Sequence, residues 1–98
     1  MLRDEDLLFL HEPARLLLLV TLCSVKEADF MFLLHVTELS RGNLSVQLRR
    51  LEERGWVRID KTIKGRRPQT LCRITRAGRS VLRRYRQQVF ATLEPLDL

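Results

Sequence analysis

The chain has 98 residues, 45% of them hydrophobic, and a formal net charge of +6. That is material for one core and no second, so residues 1–98 are expected to form a single domain. Apolar runs such as Leu16 to Val20 fall far short of the roughly 18 residues of a membrane span, and the acidic N-terminal stretch is unlike a signal peptide; a cytoplasmic protein with no membrane segment is expected.

The charge is unevenly placed. Residues 1–40 carry three basic and seven acidic side chains, whereas residues 41–98 carry 15 and five. Fifteen of the 18 basic residues are arginine, whose planar fork suits phosphate and guanine. A polyanion is the expected partner, either nucleic acid or an anionic membrane surface. Cys23 and Cys72 stand far apart with no Cys-x-x-Cys, which suggests neither a disulfide framework nor a zinc site. Both are read as small buried thiols.

Asp4, Glu5 and Asp6 precede Leu7 to Leu10, the pattern of a short first helix with an acidic first turn. Pro13 suits the first position of a second helix running to about Ser24. That helix is apolar nearly all round, as expected of a core helix that is also partly covered by a second subunit. Asp29 caps a third helix, Phe30 to about Glu38, with so many apolar residues that it is expected to be mostly buried.

The next stretch, Leu39 to Trp56, is marked at both ends: Ser40 is a good N-cap and Gly55 suits the left-handed close. Leu44, Leu48 and Leu51 make an inward stripe, while Arg41, Asn43, Gln47, Arg50 and Arg54 are expected mostly to point elsewhere. Arg, Asn and Gln are the side chains that make bidentate contacts to purine edges, and Ser and Arg hold phosphates. Alone, such a helix is no more than a solvated surface helix. Preceded by the Phe30 helix and a short turn, it has helix-turn-helix order over about 29–54 and is expected to be a recognition helix.

Residues Trp56 to Asp60 and Leu71 to Thr75 alternate apolar and polar, the period of half-buried strands. Lys61 to Thr70 is read as a basic loop between them, with Gly65 at the bend. Lys61, Lys64, Arg66, Arg67 and Arg73 gather in or beside this hairpin, over about 56–75, and favour contact with phosphates or a narrow minor groove. A last helix follows from about 76 to 92, with Thr75 as N-cap and an apolar stripe of Val81, Leu82, Tyr85, Val89 and Phe90. The stripe outlasts one small core, so a contact between terminal helices of two subunits is expected.

The residues His11-Glu12-Pro13-Ala14-Arg15-Leu16, Asp29-Phe30, Leu39-Ser40-Arg41-Gly42-Asn43-Leu44-Ser45, Gly55-Trp56, Gly65-Arg66-Arg67-Pro68 with Thr70, and Ile74-Thr75-Arg76-Ala77-Gly78-Arg79 carry a family likeness. Over residues 11–86 the chain resembles the winged-helix domains of the MarR and ArsR transcriptional regulators, in particular their compact single-domain group. The resemblance implies a mainly α chain with a small β-hairpin (α+β): about five helices and a two-stranded wing. It also implies a homodimer formed through the N- and C-terminal helices that binds double-stranded DNA sequence-specifically. Ser40, Arg41, Asn43, Ser45, Gln47, Arg49 and Arg50 would then lie at the major groove, with Lys61, Lys64, Arg66 and Arg67 on the wing. The chain departs from the group at Glu38, where Gly usually stands; a positive φ there would cost roughly 1 kcal/mol or more, so a differently shaped turn remains open. Gln47 stands where the group often has His, and still allows an adenine contact.

The alternative is a protein-interaction module whose basic face docks an acidic partner. An enzyme is not expected: His11 and His35 are the only histidines, no Ser or Cys lies in a nucleophile motif, and no carboxylate pair marks a pocket. His35 is read as a core histidine and His11 as the end or cap of a helix. With Cys23 and Cys72 they show no ligand spacing, so neither a metal nor another cofactor is expected.

Overall fold

The computed structural model describes residues 3–98. In chain order it contains α1 (Glu5–Leu10), α2 (Pro13–Ser24), β1 (Ala28–Asp29), α3 (Phe30–Thr37), α4 (Arg41–Glu53), β2 (Val57–Lys64), β3 (Arg67–Ile74) and α5 (Arg76–Leu93). The mainly helical α+β class is as expected, but the sheet has three strands. β1 adds to the hairpin in the order β1-β3-β2, pairing Ala28 with Cys72 and Asp29 with Leu71 in antiparallel register. Two residues with no alternation of their own left no strand signal in the sequence.

Local chemistry starts each helix. Asp4, Glu12, Asp29, Ser40 and Thr75 are N-caps whose side chains accept from otherwise unpaired first-turn amides. Pro13 occupies the first turn of α2, where its missing N–H costs nothing. His11 is the C-cap of α1.

The core gathers around α2. Leu18, Leu19 and Leu22 are fully buried, together with Leu10, Leu33, Leu44, Leu51 and Cys72. Leu17 and Val20, on the other side of α2, stay exposed. The third helix is less buried than its composition suggests. Only Leu33 and Thr37 are buried, while Met31, Phe32, His35 and Val36 face outward. His35 is therefore a surface residue: α3 packs by one narrow face against α2, α4 and β3.

The hairpin also differs from expectation. Lys61 to Lys64 and Arg67 to Thr70 are strand rather than loop, paired from Val57↔Ile74 out to Lys64↔Arg67. Only Gly65 and Arg66 form the turn, with Gly65 at φ 65°. Positive φ at the first central residue is the hairpin geometry that matches strand twist, and glycine takes it without a Cβ clash. Beyond Asp60 the side chains of β2 are solvated on both faces, so no alternation announces this part of the strand. The radius of gyration is 14.7 Å, against about 13 Å for a compact domain of 100 residues, with extents of 55 × 24 × 21 Å.

Candidate nucleic-acid interface

The turn between α3 and α4 is held by backbone. Glu38 takes the left-handed conformation (φ 57°, ψ 21°), and its N–H donates to the Leu34 carbonyl at 3.1 Å. The turn thus keeps the shape a glycine would favour despite the glutamate; it is not reshaped. Thr37 is buried, its hydroxyl donating to the Leu33 carbonyl at 2.6 Å, and the Leu39 N–H donates to the Thr37 Oγ1 at 3.4 Å. Ser40 then accepts from the Asn43 N–H at 3.1 Å and starts α4.

Along α4 the inward arc is Leu44, Gln47, Leu48 and Leu51. Exposed are Ser40, Arg41, Asn43, Ser45, Arg49 and Arg50. At 100° per residue Gly42, Ser45 and Arg49 lie opposite the buried arc, with Asn43 and Arg50 flanking it on one side. A Cβ on Gly42 would meet nothing within 4 Å, so the first turn of α4 is open to a close approach.

Two side chains expected to point outward do not. Gln47 is buried, receiving a hydrogen bond from Arg15 Nη1 on its Oε1 at 3.2 Å and donating from Nε2 to Asn43 Oδ1 at 3.1 Å. Its arc lies beside Leu44 and Leu51, close enough to α2 for a long donor to reach it. Arg54 folds back: its guanidinium lies 3.8 Å from the centroid of the Phe9 ring and donates to Asp6 Oδ1 at 2.8 Å. The aromatic face and the acidic start of α1 draw it away from solvent.

The basic residues divide into two sets. Arg15, Arg54, Arg58, Arg73 and Arg84 are paired with carboxylates of the chain itself. Arg41, Arg49 and Arg50 on α4 and Lys61, Lys64, Arg66 and Arg67 on the wing are exposed and have no carboxylate partner among the described residues. The same holds for Arg76, Arg79, Arg83 and Arg86 on α5. At the base of the wing, Gln69 Nε2 donates to Asp29 Oδ2 at 3.3 Å, tying β3 to the cap of α3.

Between α2 and α5 lies a groove of about 500 Å³ lined by Leu16, Val20, Leu82, Val89 and Phe90, among others. Cys23 opens onto it, half-buried and with its Sγ 3.4 Å from Arg79 Nη1, so only Cys72 is the fully buried thiol expected. Burial, and then the nearby carboxylates of Glu52, Asp29 and Asp60, push the Cys72 thiol up to about 11. No group of three or more His, Cys, Asp or Glu among the described residues is placed to hold a metal ion.

The sequence reading missed Arg15, the residue that organises the inner side of α4. It lies 32 positions from Gln47, and nothing in local spacing connects the two.

Comparison with known proteins agrees with this geometry. The family model described as winged helix DNA-binding domain matches residues 14–93. An uncharacterized protein of Methanocaldococcus jannaschii is 31% identical over 75 residues, 76% of this chain and 82% of the relative. The solved structure of a transcriptional regulator homologue from Pyrococcus horikoshii superposes with a TM-score of 0.85 at 34% identity, over 91% of this chain and 88% of that one. A MarR family transcriptional regulator from Streptomyces coelicolor, solved in complex with DNA, gives a TM-score of 0.70 at 30% identity, over 83% of this chain and 52% of that one. By the family-model match over residues 14–93 and its likeness to these regulators, the chain belongs to the winged helix DNA-binding domain family and is MarR-like.

Proposed function

We propose that the protein is a transcriptional regulator that binds double-stranded DNA sequence-specifically as a homodimer. In this reading α4 enters the major groove and the wing lies on the phosphates or the minor groove. The observation that carries it is the division of the basic residues: Arg15 and Arg54 beside the core, and Arg58 and Arg73 at the base of the wing, are paired with carboxylates, whereas the cations on the outer face of α4 and along the outer wing have no such partner among the described residues. Exposed cations gathered on one face sum to a positive field that favours a polyanion.

Within this reading Arg41, Asn43, Ser45, Arg49 and Arg50 face the groove, Ser40 sits at the helix start near a phosphate, and Lys61, Lys64, Arg66 and Arg67 follow the backbone. Gln47 acts from behind the contact rather than in it. The apolar groove between α2 and α5, with Leu17, Val20, Phe90 and Leu93 exposed around it, is the surface a second copy would cover. The dimer would address two half-sites about one helical turn apart, roughly 10 bp. The domain is then read as helix-turn-helix, wing and dimerisation helix, acting in the cytoplasm, without cofactor and without catalysis.

Affinity for duplex DNA measured against salt tests the reading. A log–log slope steeper than about −4 is expected if several phosphates are neutralised. A flat response, or no binding to random genomic fragments at low salt, overturns it and assigns the basic face to an acidic protein partner. In sedimentation, Val20→Asp and Phe90→Asp should convert a dimer to monomer without unfolding it.

A further inference from the structure

A chain of three side chains runs from α2 to the exposed start of α4, and its polarity is set at one end. Arg15 is only 13% exposed and is held on several sides. Its Nε donates to the Phe9 carbonyl at 2.7 Å, its guanidinium lies 4.1 Å from the centroid of the Phe9 ring, and the Glu12 carboxylate is 3.8 Å away. Its Nη1 then donates to Gln47 at 3.2 Å. A guanidinium has donors only, so the atom of Gln47 that it meets must be the carbonyl oxygen. The Gln47 amide nitrogen is thereby turned toward Asn43 and, as a donor, requires the carbonyl oxygen of Asn43, at 3.1 Å. The ambiguity between O and N that ordinarily attends an amide is removed twice over by the fixed arginine.

The consequence falls on Asn43, which is exposed in the first turn of α4. With its Oδ1 turned back to Gln47, the face it offers to solvent is its Nδ2 group, a pure donor. An asparagine that reads adenine needs both ends of its amide: the oxygen for N6–H and the nitrogen for N7. Here one of the oxygen's two lone pairs is engaged from behind, and that bond orients the oxygen toward Gln47 and the nitrogen away from it.

We propose that Arg15 and Gln47 are positioning residues that make Asn43 a hydrogen-bond donor to DNA, so that the base beneath it is selected for acceptors. Guanine, with O6 and N7, or thymine, with O4, is then preferred over cytosine, which presents only the N4 donor, and over adenine, where N7 accepts but the neighbouring N6 donor is left without a partner. The proposal rests on the reading of α4 as the DNA-contacting helix.

Selection of bound duplexes from a random library, with wild type, Gln47→Glu and Gln47→Leu, tests it. Wild type should prefer G or T at one position of each half-site by about five- to tenfold. In Gln47→Glu a near-isosteric carboxylate accepts from Arg15 on one oxygen and from Asn43 Nδ2 on the other. The Asn43 amide turns over, and the preference should invert to A or C. Gln47→Leu releases the amide, and the preference should fall to about threefold or less while DNA is still bound. If wild type and Gln47→Glu bind DNA and select the same base at every position, the proposal is wrong. If none of the three binds DNA, the underlying reading fails and takes the proposal with it.

Proton exchange of side-chain amides followed by NMR in the free protein is independent of DNA. In wild type the Asn43 Nδ2 protons should exchange rapidly while those of Gln47 are protected. In Gln47→Glu the Asn43 protons should become protected. Protected Asn43 Nδ2 protons in wild type would mean that the polarity is reversed and would overturn the assignment.

Discussion

Gly78, in the first turn of α5, lies directly against the backbone of Trp56. A Cβ at Gly78 would collide with the Trp56 carbonyl oxygen and stand 2.8 Å from Ile74 Cγ1. The approach is fixed by two further bonds: the Thr75 N–H donates to that same carbonyl at 2.9 Å, and the Thr75 hydroxyl donates to the Gly55 carbonyl at 2.6 Å. The end of α4, the root of the wing and the start of α5 thus meet at one point. Alanine in a helix is ordinarily worth about 1 kcal/mol over glycine. Here Gly78→Ala is instead expected to destabilise by about 2–4 kcal/mol, because backbone must move. Urea unfolding checks this; a variant as stable as wild type would show that the contact yields freely.

Glu38 presents the opposite case, a side chain where glycine would be easier. Its φ of 57° costs a non-glycine residue about 1–2 kcal/mol, part of which glycine returns in lost chain entropy. Its side chain is exposed and makes no ion pair among the described residues. Glu38→Gly should therefore raise stability by about 0.5–1 kcal/mol, read as a higher urea midpoint with unchanged slope. A lower midpoint would show that the glutamate contributes a contact of its own.

Phe9 carries two cations. The guanidiniums of Arg15 and Arg54 lie 4.1 and 3.8 Å from its ring centroid, and Trp56 meets it edge-on at 5.8 Å. Phe9→Leu keeps an apolar side chain and removes the aromatic quadrupole, with an expected loss of about 1–2 kcal/mol. Because these cations are partly desolvated, the loss should be nearly the same at 0.1 and 1 M salt, where surface ion pairs would fade. A loss that disappears in high salt would assign the stabilisation to the Asp6 and Glu12 ion pairs instead.

Cys72 makes stability depend on alkaline pH. Its thiol is raised from 9.0 to about 11 in the folded chain, chiefly by burial. Between those values the unfolded chain loses the proton and the folded chain retains it, so stability is fully present below about pH 9 and declines as pH rises through 11. The difference in stability between wild type and Cys72→Ala, followed from pH 8 to 11, should shift against wild type by about 1–3 kcal/mol. A pH-independent difference would show that the thiol ionises freely. Under native conditions an alkylating reagent should modify Cys23, which is half-buried, well before Cys72.

The sequence by itself determined the elements that local chemistry specifies. Caps at Asp29, Ser40 and Thr75 and the Leu44, Leu48, Leu51 stripe placed the helices, because a first-turn acceptor and a 3.6-residue period act within a few residues. The charge break near residue 41 likewise marks the basic α4 and wing in the sequence itself. The tertiary structure alone decided the rest. Ala28 and Asp29 are a strand only because β3 lies beside them, and the outer wing is a strand because its backbone pairs, not because its side chains alternate. His35 faces solvent because α3 needs one face for its neighbours, and Arg54 leaves the outer surface because Phe9 and Asp6 are near. Gln47 turns inward because Arg15, 32 residues earlier, is fixed against Phe9 and Glu12 within reach of it. A hydrogen bond between residues so far apart leaves no period in the sequence, because its geometry exists only once α2 and α4 have packed.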